Sequence, residues 1–264
     1  MTTLAWIVCA SLAGGVLATL AAATTLRLHP SWIPPLVSFA VGALLGAVFL
    51  ELLPHALETG KANNVMVTVL IGLLAFFLLE KLVLWRHAHG HETEGVGEVR
   101  SEHDHATGHE VHIDGGRPGL MILIGNTVHN FCDGIVIAAA FIADARLGIA
   151  TTLAIVAHAL PQQVGDFAVL LHSGFTRRKA FTYNIVAGSA TLVGGLAAYL
   201  ALADMTDVLP TVLAIAASSL LYVAVADLIP SLHRRPEPLE TAKQLLLIFL
   251  GISVIGLAHA GLER

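Results

Sequence analysis

Charged residues and cysteines are both scarce in this chain of 264 residues. Only 12% of the residues are Asp, Glu, Lys or Arg, whereas a soluble domain carries about 25%. The two cysteines, Cys9 and Cys132, each lie within an apolar run, and two are too few for a disulfide framework or a cysteine-type zinc motif. These shortages exclude an ordinary soluble domain and a small disulfide-stabilised protein.

Apolar residues dominate instead, at 56% of the chain with a mean hydropathy of +0.77. A spanning helix needs about 20 apolar residues, and eight runs reach this length, near residues 4–26, 33–57, 64–86, 119–143, 147–173, 180–203, 208–231 and 243–262. None of them alternates as a membrane β-strand does. The first has no basic residue before it, so we expect a spanning helix and not a removed signal peptide. We predict an all-α membrane bundle of eight helices, forming a single transmembrane domain over residues 1–264.

Basic residues are distributed unevenly among the connections, and they accumulate on the cytoplasmic side of a membrane. If the amino terminus is outside, the inside connections hold eleven of the fourteen: Arg27, Lys81, Arg86, Arg100, Arg117, Arg177, Arg178, Lys179, Arg234, Arg235 and Lys243. The other three, outside, are Lys61, Arg146 and Arg264. We therefore predict that both termini lie outside.

The one long connection, residues 87–117, holds half of the fourteen histidines: His87, His89, His91, His103, His105, His109 and His112. It is rich in acidic residues and glycine and lacks apolar runs, so it should be disordered. Histidine-rich tracts bind metal weakly. We interpret the connection as a cytosolic metal buffer or sensor; the alternative is a solvated linker.

Polar residues inside the fourth run fall on one side of a helix. His129 and Asp133 are four residues apart, so they point the same way. Asn126 and Asn130 lie within about a quarter-turn of them. An Asp at this depth costs about 2.5–3.5 kcal/mol to insert, and such residues usually mark a pathway or a site. Gly134 follows directly and should let a neighbouring backbone approach closely.

The fifth run carries a matching stripe, made of His158, Gln162 and Asp166. The connection between the two runs, Asp144 to Leu147, is very short, so the helices should be antiparallel neighbours whose stripes reach similar depths. Pro161 should kink the fifth helix. Gly165 should allow close backbone approach, as Gly134 does.

Imidazole nitrogen and carboxylate oxygen are ligands of zinc and similar ions, usually four at about 2 Å. We predict one metal site near the membrane midplane, held by His129, Asp133, His158 and Gln162. Asn130 and Asp166 would orient these groups or pass the ion inward. The alternative is a set of polar residues that only bridges two helices.

Two further acids lie in apolar runs ahead of prolines. Glu51 lies deep in the outer half of the second run, and Pro54 should loosen the helix there. It lines the entry route or belongs to an outer helix end in water. Asp227 precedes Pro230 near the cytosolic end of the seventh run. It faces an inner vestibule or lies at a helix end in water.

These motifs resemble those of the ZIP zinc transporters. The sequence H-N-x-x-D-G, beginning at His129, matches the family's fourth-helix motif, and H-A-L-P-Q-Q-V-G-D, beginning at His158, resembles the H-E-L-P-H-E-x-G-D form of one subgroup. Where that form has Glu, His and Glu, this chain has Ala159, Gln162 and Gln163. Similarity extends to G-A-V-F-L-E-L-L-P in the second run and L-Y-V-A-V-A-D-L-I-P in the seventh.

The resemblance implies uptake of divalent metal into the cytosol, principally Zn²⁺, with Fe²⁺, Mn²⁺ and Cd²⁺ as further candidate substrates. It implies a bundle that alternates access to a midplane site, a homodimer and no enzymatic activity. The expected partners are divalent metal ions and the lipid bilayer, with no nucleic acid. The expected location is the cell membrane, inner or plasma, as a multi-pass protein.

Two other functions stay open at this point. An intramembrane zinc-dependent hydrolase would let bound zinc activate a water, but it needs a general base beside the metal. Ala159 and Gln163 remove the obvious candidates for that base. A metal sensor that binds without transporting is the other function, and the missing carboxylates of the fifth run favour it.

Overall fold

The computed structural model describes residues 2–20, 32–89, 117–203, 205–233 and 237–262. These ranges contain helices and no strand, and eight helices are long and apolar enough to cross a membrane. In chain order they are α1 (Thr3–Leu20), α2 (Ile33–Thr59), α3 (Ala62–His89), α4 (Arg117–Ala143), α5 (Ala145–His172), α6 (Arg177–Leu202), α7 (Leu209–Leu232) and α8 (Pro238–Leu262). The prediction of an all-α bundle with eight spanning helices is confirmed.

The histidine-rich connection lies mostly outside the described residues. Its first three residues, 87–89, continue α3, and its last, Arg117, begins α4. The helical parts are therefore slightly longer than the sequence indicated, and the predicted disorder of residues 90–116 stays a prediction.

The helices pack as two groups. In one group α6 packs against α4 and α1, and α5 packs beside α4. In the other α2 packs against α8, and α3 packs against α7, where the Tyr222 hydroxyl donates a hydrogen bond to Glu80. The two groups meet chiefly where α5 contacts α2 and α8 and where α4 contacts α7. The polar stripes of α4 and α5 thus lie beside the boundary between the groups.

A one-residue link joins α4 to α5. Asp144 is the only residue between the helices, and its Oδ1 accepts hydrogen bonds from the backbone N–H groups of Arg146 (2.7 Å) and Leu147 (3.3 Å). This is an N-cap, which supplies acceptors to the free N–H groups of the first turn. The tight link confirms that α4 and α5 are antiparallel neighbours, and it brings the middles of both helices to the same depth.

Proline affects the backbone differently in α2 and α5. Residues Ala47–Leu52 of α2, immediately before Leu53 and Pro54, form a π-helix, so the predicted loosening near Pro54 is confirmed. Proline has no N–H and its ring clashes with the carbonyl four residues back, which favours a wider turn. Pro161, by contrast, lies inside the uninterrupted α-helix of α5.

Close backbone packing holds α4 against α6. A Cβ added to Gly134 would lie 2.0 Å from the carbonyl oxygen of Thr191 and 2.6 Å from the nitrogen of Gly195. The predicted close approach is therefore confirmed at Gly134. It is wrong at Gly165, which is exposed and where an added Cβ would have no neighbour within 4 Å. Among the described residues, no other helix packs against α5 at this position.

We predict that Gly134→Ala lowers the thermal stability of the detergent-solubilised protein, because the methyl group would force α4 and α6 apart. Overpacking of this kind costs about 1–3 kcal/mol. Gly165→Ala is the matched control and should not lower stability, because Ala is the better helix former by about 1 kcal/mol and meets nothing. Equal melting temperatures for Gly134→Ala and the unmodified protein would contradict this packing.

Candidate metal centre

Three metal-ligating side chains converge where α4 and α5 face each other. His129 and Asp133 project from consecutive turns of α4, and His158 projects from the middle of α5. The two Nε2 atoms of His129 and His158 are 3.2 Å apart. Asp133 Oδ2 lies 3.5 Å from the first and 3.4 Å from the second. In the described part of the chain this is the one group of three His, Cys, Asp or Glu side chains with such convergent ligand atoms.

The distances within this cluster suit a tetrahedral metal site. Zinc binds nitrogen and oxygen at about 2.0–2.1 Å, and the edge of a tetrahedron with such bonds is about 3.3–3.4 Å. The three observed separations, from 3.2 to 3.5 Å, bracket that edge. An ion of this size would fit among the three atoms with little movement of the side chains.

Burying these polar groups costs free energy, and a bound cation would offset that cost. His158 is 1% exposed and Asp133 is 2% exposed. The second carboxylate oxygen of Asp133, Oδ1, is buried and has no hydrogen-bond partner among the described residues. Buried polar atoms in this state are expensive. His129 is 19% exposed, so the described residues do not fully enclose the cluster.

A backbone contact fixes the direction of the His158 ring. Its Nδ1 lies 3.2 Å from the carbonyl oxygen of Ala154, one turn earlier in α5. A carbonyl can only accept, so Nδ1 carries the proton in this assignment and the lone pair of Nε2 faces Asp133 and His129. Second partners of this kind orient metal-binding histidines. Candidate ligand atoms from both helices therefore lie around one shared position.

Asn126 connects the two polar stripes. The side-chain amide of Asn130 donates to the backbone oxygen and to Oδ1 of Asn126, both at 2.8 Å. Gln162 on α5 donates to the same Oδ1 at 3.3 Å. With its NH₂ group directed at Asn126, Gln162 keeps its oxygen as the remaining acceptor. The helical spacing put Asn126 on the stripe, but it was not among the expected site residues.

The three other acids expected to take part do not join the cluster. Asp166 is half-buried on α5, and its Oδ2 has no hydrogen-bond partner among the described residues. Asp227 on α7 is solvent-exposed, yet it interacts electrostatically with Asp166 and with both histidines. Glu51 is 3% exposed, within the π-helix of α2 that contacts α5.

Eight spanning helices with a buried cluster of nitrogen and oxygen ligands at mid-depth define a polytopic membrane protein with metal-ion chemistry in its interior. Residues 1–259 match the family model described as ZIP Zinc transporter. The chain therefore belongs to the ZIP zinc transporter family, which is a family of transporters and not of enzymes.

Individual relatives are similar over most of the chain. Zinc transporter ZIP13 of Pongo abelii is 32% identical over 238 residues, covering 83% of this chain and 65% of that protein. Zinc transporter ZIP13 of Gallus gallus is 30% identical over 270 residues, covering 85% and 73%. Zinc transporter ZIP4 of Homo sapiens is 31% identical over 253 residues, covering 76% and 39%. The chain thus spans just under two thirds of the Pongo protein and a smaller part of the ZIP4 protein.

We predict that Zn²⁺ raises the melting temperature of the purified protein by binding the native cluster. An ion at 100 times its dissociation constant stabilises a fold by about 2.7 kcal/mol. His158→Ala should abolish the shift, whereas His172→Ala should retain it, because His172 is exposed at the end of α5 and its Nδ1 pairs with the Ala168 carbonyl of its own helix. An unchanged zinc shift in His158→Ala would exclude the cluster as the stabilising site.

Proposed function

We propose that the protein carries Zn²⁺ across the membrane into the cytosol by alternating access to a midplane site between α4 and α5. The observation that supports this most strongly is the convergence of His129, Asp133 and His158 on one position halfway along two spanning helices. Ionisable groups at that depth are retained where they serve an ion or proton pathway. The names of the relatives, all zinc transporters, support zinc as the substrate.

The proposed ligand set binds zinc without holding it too firmly. His129, Asp133 and His158 supply three ligands, and the amide oxygen of Gln162 supplies the fourth. One carboxylate and two neutral imidazoles leave the bound Zn²⁺ with one uncompensated positive charge. A transport site must bind well enough to admit the ion and weakly enough to release it, and a weak amide ligand with incomplete charge neutralisation meets both needs.

The acids outside the cluster line the path of the ion on the two sides of the cluster. We assign Glu51 to the entry side, and Asp166 and Asp227 to the exit side, with Asn130 orienting the site through Asn126. Asp227 is exposed and within electrostatic range of both histidines, whereas Glu51 is buried. On the predicted topology, with both termini outside, Asp227 would lie on the cytosolic side of the cluster and Glu51 on the exterior side.

A ligand set of two nitrogens and two oxygens favours zinc and Cd²⁺ over harder ions. Imidazole suits borderline metals, whereas Mn²⁺ prefers carboxylate, carbonyl and water. Of the further candidate substrates we therefore expect Cd²⁺ to compete best with zinc, Fe²⁺ less well and Mn²⁺ least.

Four further expectations stay predictions. They are the homodimer, the cell membrane as location, membership of the H-E-L-P-H-E subgroup, and the role of residues 87–117 as a cytosolic metal buffer or sensor.

Hydrolysis is not proposed, because the family is one of transporters and because Ala159 and Gln163, both buried, supply no general base. The metal sensor is separated from the transporter by measuring flux. A sensor would retain zinc binding at the cluster and move no ion across the membrane.

We predict that His129→Ala and Asp133→Ala abolish zinc uptake by reconstituted vesicles while the protein stays folded. Each change removes one ligand from a site with few ligands. Uptake of radioactive zinc and the melting temperature are measured together, with His172→Ala as the control that should transport normally. Normal uptake in both ligand variants would refute the assigned site. Intact zinc binding with no flux in the unmodified protein would identify a sensor.

A further inference from the structure

The same local pattern occurs once in α2 and once in α7. Residues Ala47–Leu52 and Val223–Leu228 are both π-helices of six residues. An acid occupies the fifth position of each, Glu51 in the first and Asp227 in the second. A proline follows each acid by three residues, Pro54 and Pro230 respectively. We call each of these segments, from the first π residue to the proline, a π–proline unit.

The backbone hydrogen bonds of the two units also correspond. The N–H of Leu53 donates to the carbonyl of Val48, and the N–H of Ile229 donates to the carbonyl of Ala224. Both bonds span five residues, as in a π-turn, and both start one residue before the proline. The α1 helix also has a π segment, Ala13–Leu17, but this segment contains no acid.

The packing of the two units is reciprocal. The π segment of α2 contacts the α-helical part of α7 (Leu209–Tyr222), and the π segment of α7 contacts the α-helical part of α2 (Ile33–Gly46). Five connections separate helices α2 and α7, so the two cross the membrane in opposite directions. Each unit lies in the later part of its helix, so the two units lie on opposite sides of the midplane cluster.

The acids of the two units differ in burial. Glu51 is 3% exposed, whereas Asp227 is exposed. Two equivalent elements on either side of a site, whose acids are enclosed to different extents, are what alternating access requires. We propose that the π–proline units of α2 and α7 are the outer and inner gates of the transport route. This inference rests on the proposed transport function.

The physical basis of the gate is the extra residue in each π-turn. A π-turn accommodates one more residue than an α-turn, and its hydrogen bonds exchange readily with those of an α-turn because both use the same donors and carbonyls. The proline removes one competing donor. When the π-turn shifts along the helix, the residues that it passes rotate about the helix axis, so the acid turns towards or away from the transport route. Both ends of the helix keep their packing.

Deleting the extra residue tests the gates directly. Leu50 and Val225 lie in the two π segments, are 46% and 51% exposed, and do not belong to the buried core. Each single deletion should convert the π-turn to an α-turn and leave the flanking turns in register. We expect both variants to fold and to keep the zinc-induced shift in melting temperature, while vesicle uptake falls by at least about tenfold, as it does when gating fails.

The control is deletion of Leu246, which is 69% exposed in the regular α-helix of α8. That deletion rotates every later residue by about 100°, and the variant should lose its cooperative melting transition. Wild-type flux in both π deletions would overturn the gate proposal. If the unmodified full chain shows no flux, the proposed function itself fails, and this outcome differs from a loss confined to the variants.

A second pair of variants tests the gate proposal if the π deletions do not fold. Pro54→Ala and Pro230→Ala restore the missing N–H and remove the ring clash, so each should bias its unit towards α-helix and slow uptake without changing the zinc shift. Pro210→Ala is the matched control, since Pro210 lies in the first turn of the α-helical part of α7, where proline costs little. Wild-type uptake in both Pro54→Ala and Pro230→Ala would overturn the proposal.

Discussion

The structure depends on holding two imidazole nitrogens and a carboxylate within 3.5 Å of one another inside the membrane-spanning region. In the absence of a shared cation, the buried Oδ1 of Asp133 has no hydrogen-bond partner among the described residues. The surrounding fold opposes this cost. The one-residue link at Asp144 sets the depth of α5 against α4, and close packing at Gly134 holds α4 against α6.

Much of the site could be predicted because its determinants are local. Residues four apart on a helix share a face, which places Asp133 beside His129. A short link forces two spanning helices to pack as antiparallel neighbours, and this places His158 of α5 opposite His129 and Asp133 of α4. The eight apolar runs predicted the bundle for a similar reason, since only a helix satisfies its own backbone in lipid.

The features that escaped prediction depend on tertiary contacts or on small shifts in backbone geometry. Asn126 connects the stripes through side-chain hydrogen bonds, and spacing alone does not distinguish such a connector from a ligand. Gly165 lacks the neighbour that Gly134 has, although both follow the same small-residue rule. The π segments of α2 and α7 lie among apolar residues, so one inserted residue leaves no mark on the hydrophobic pattern. Only Pro54 indicated irregularity in α2, and no irregularity was predicted in α7.

Anomalous diffraction from zinc-soaked crystals of the full chain is the most direct test of whether zinc binds between α4 and α5 at the three convergent ligands. We expect an anomalous peak about 2 Å from the Nε2 atoms of His129 and His158 and from Asp133 Oδ2, and we expect no such peak in crystals of Asp133→Ala. Zinc bound elsewhere in the membrane-spanning region, with these three side chains in contact only with protein, would contradict this site.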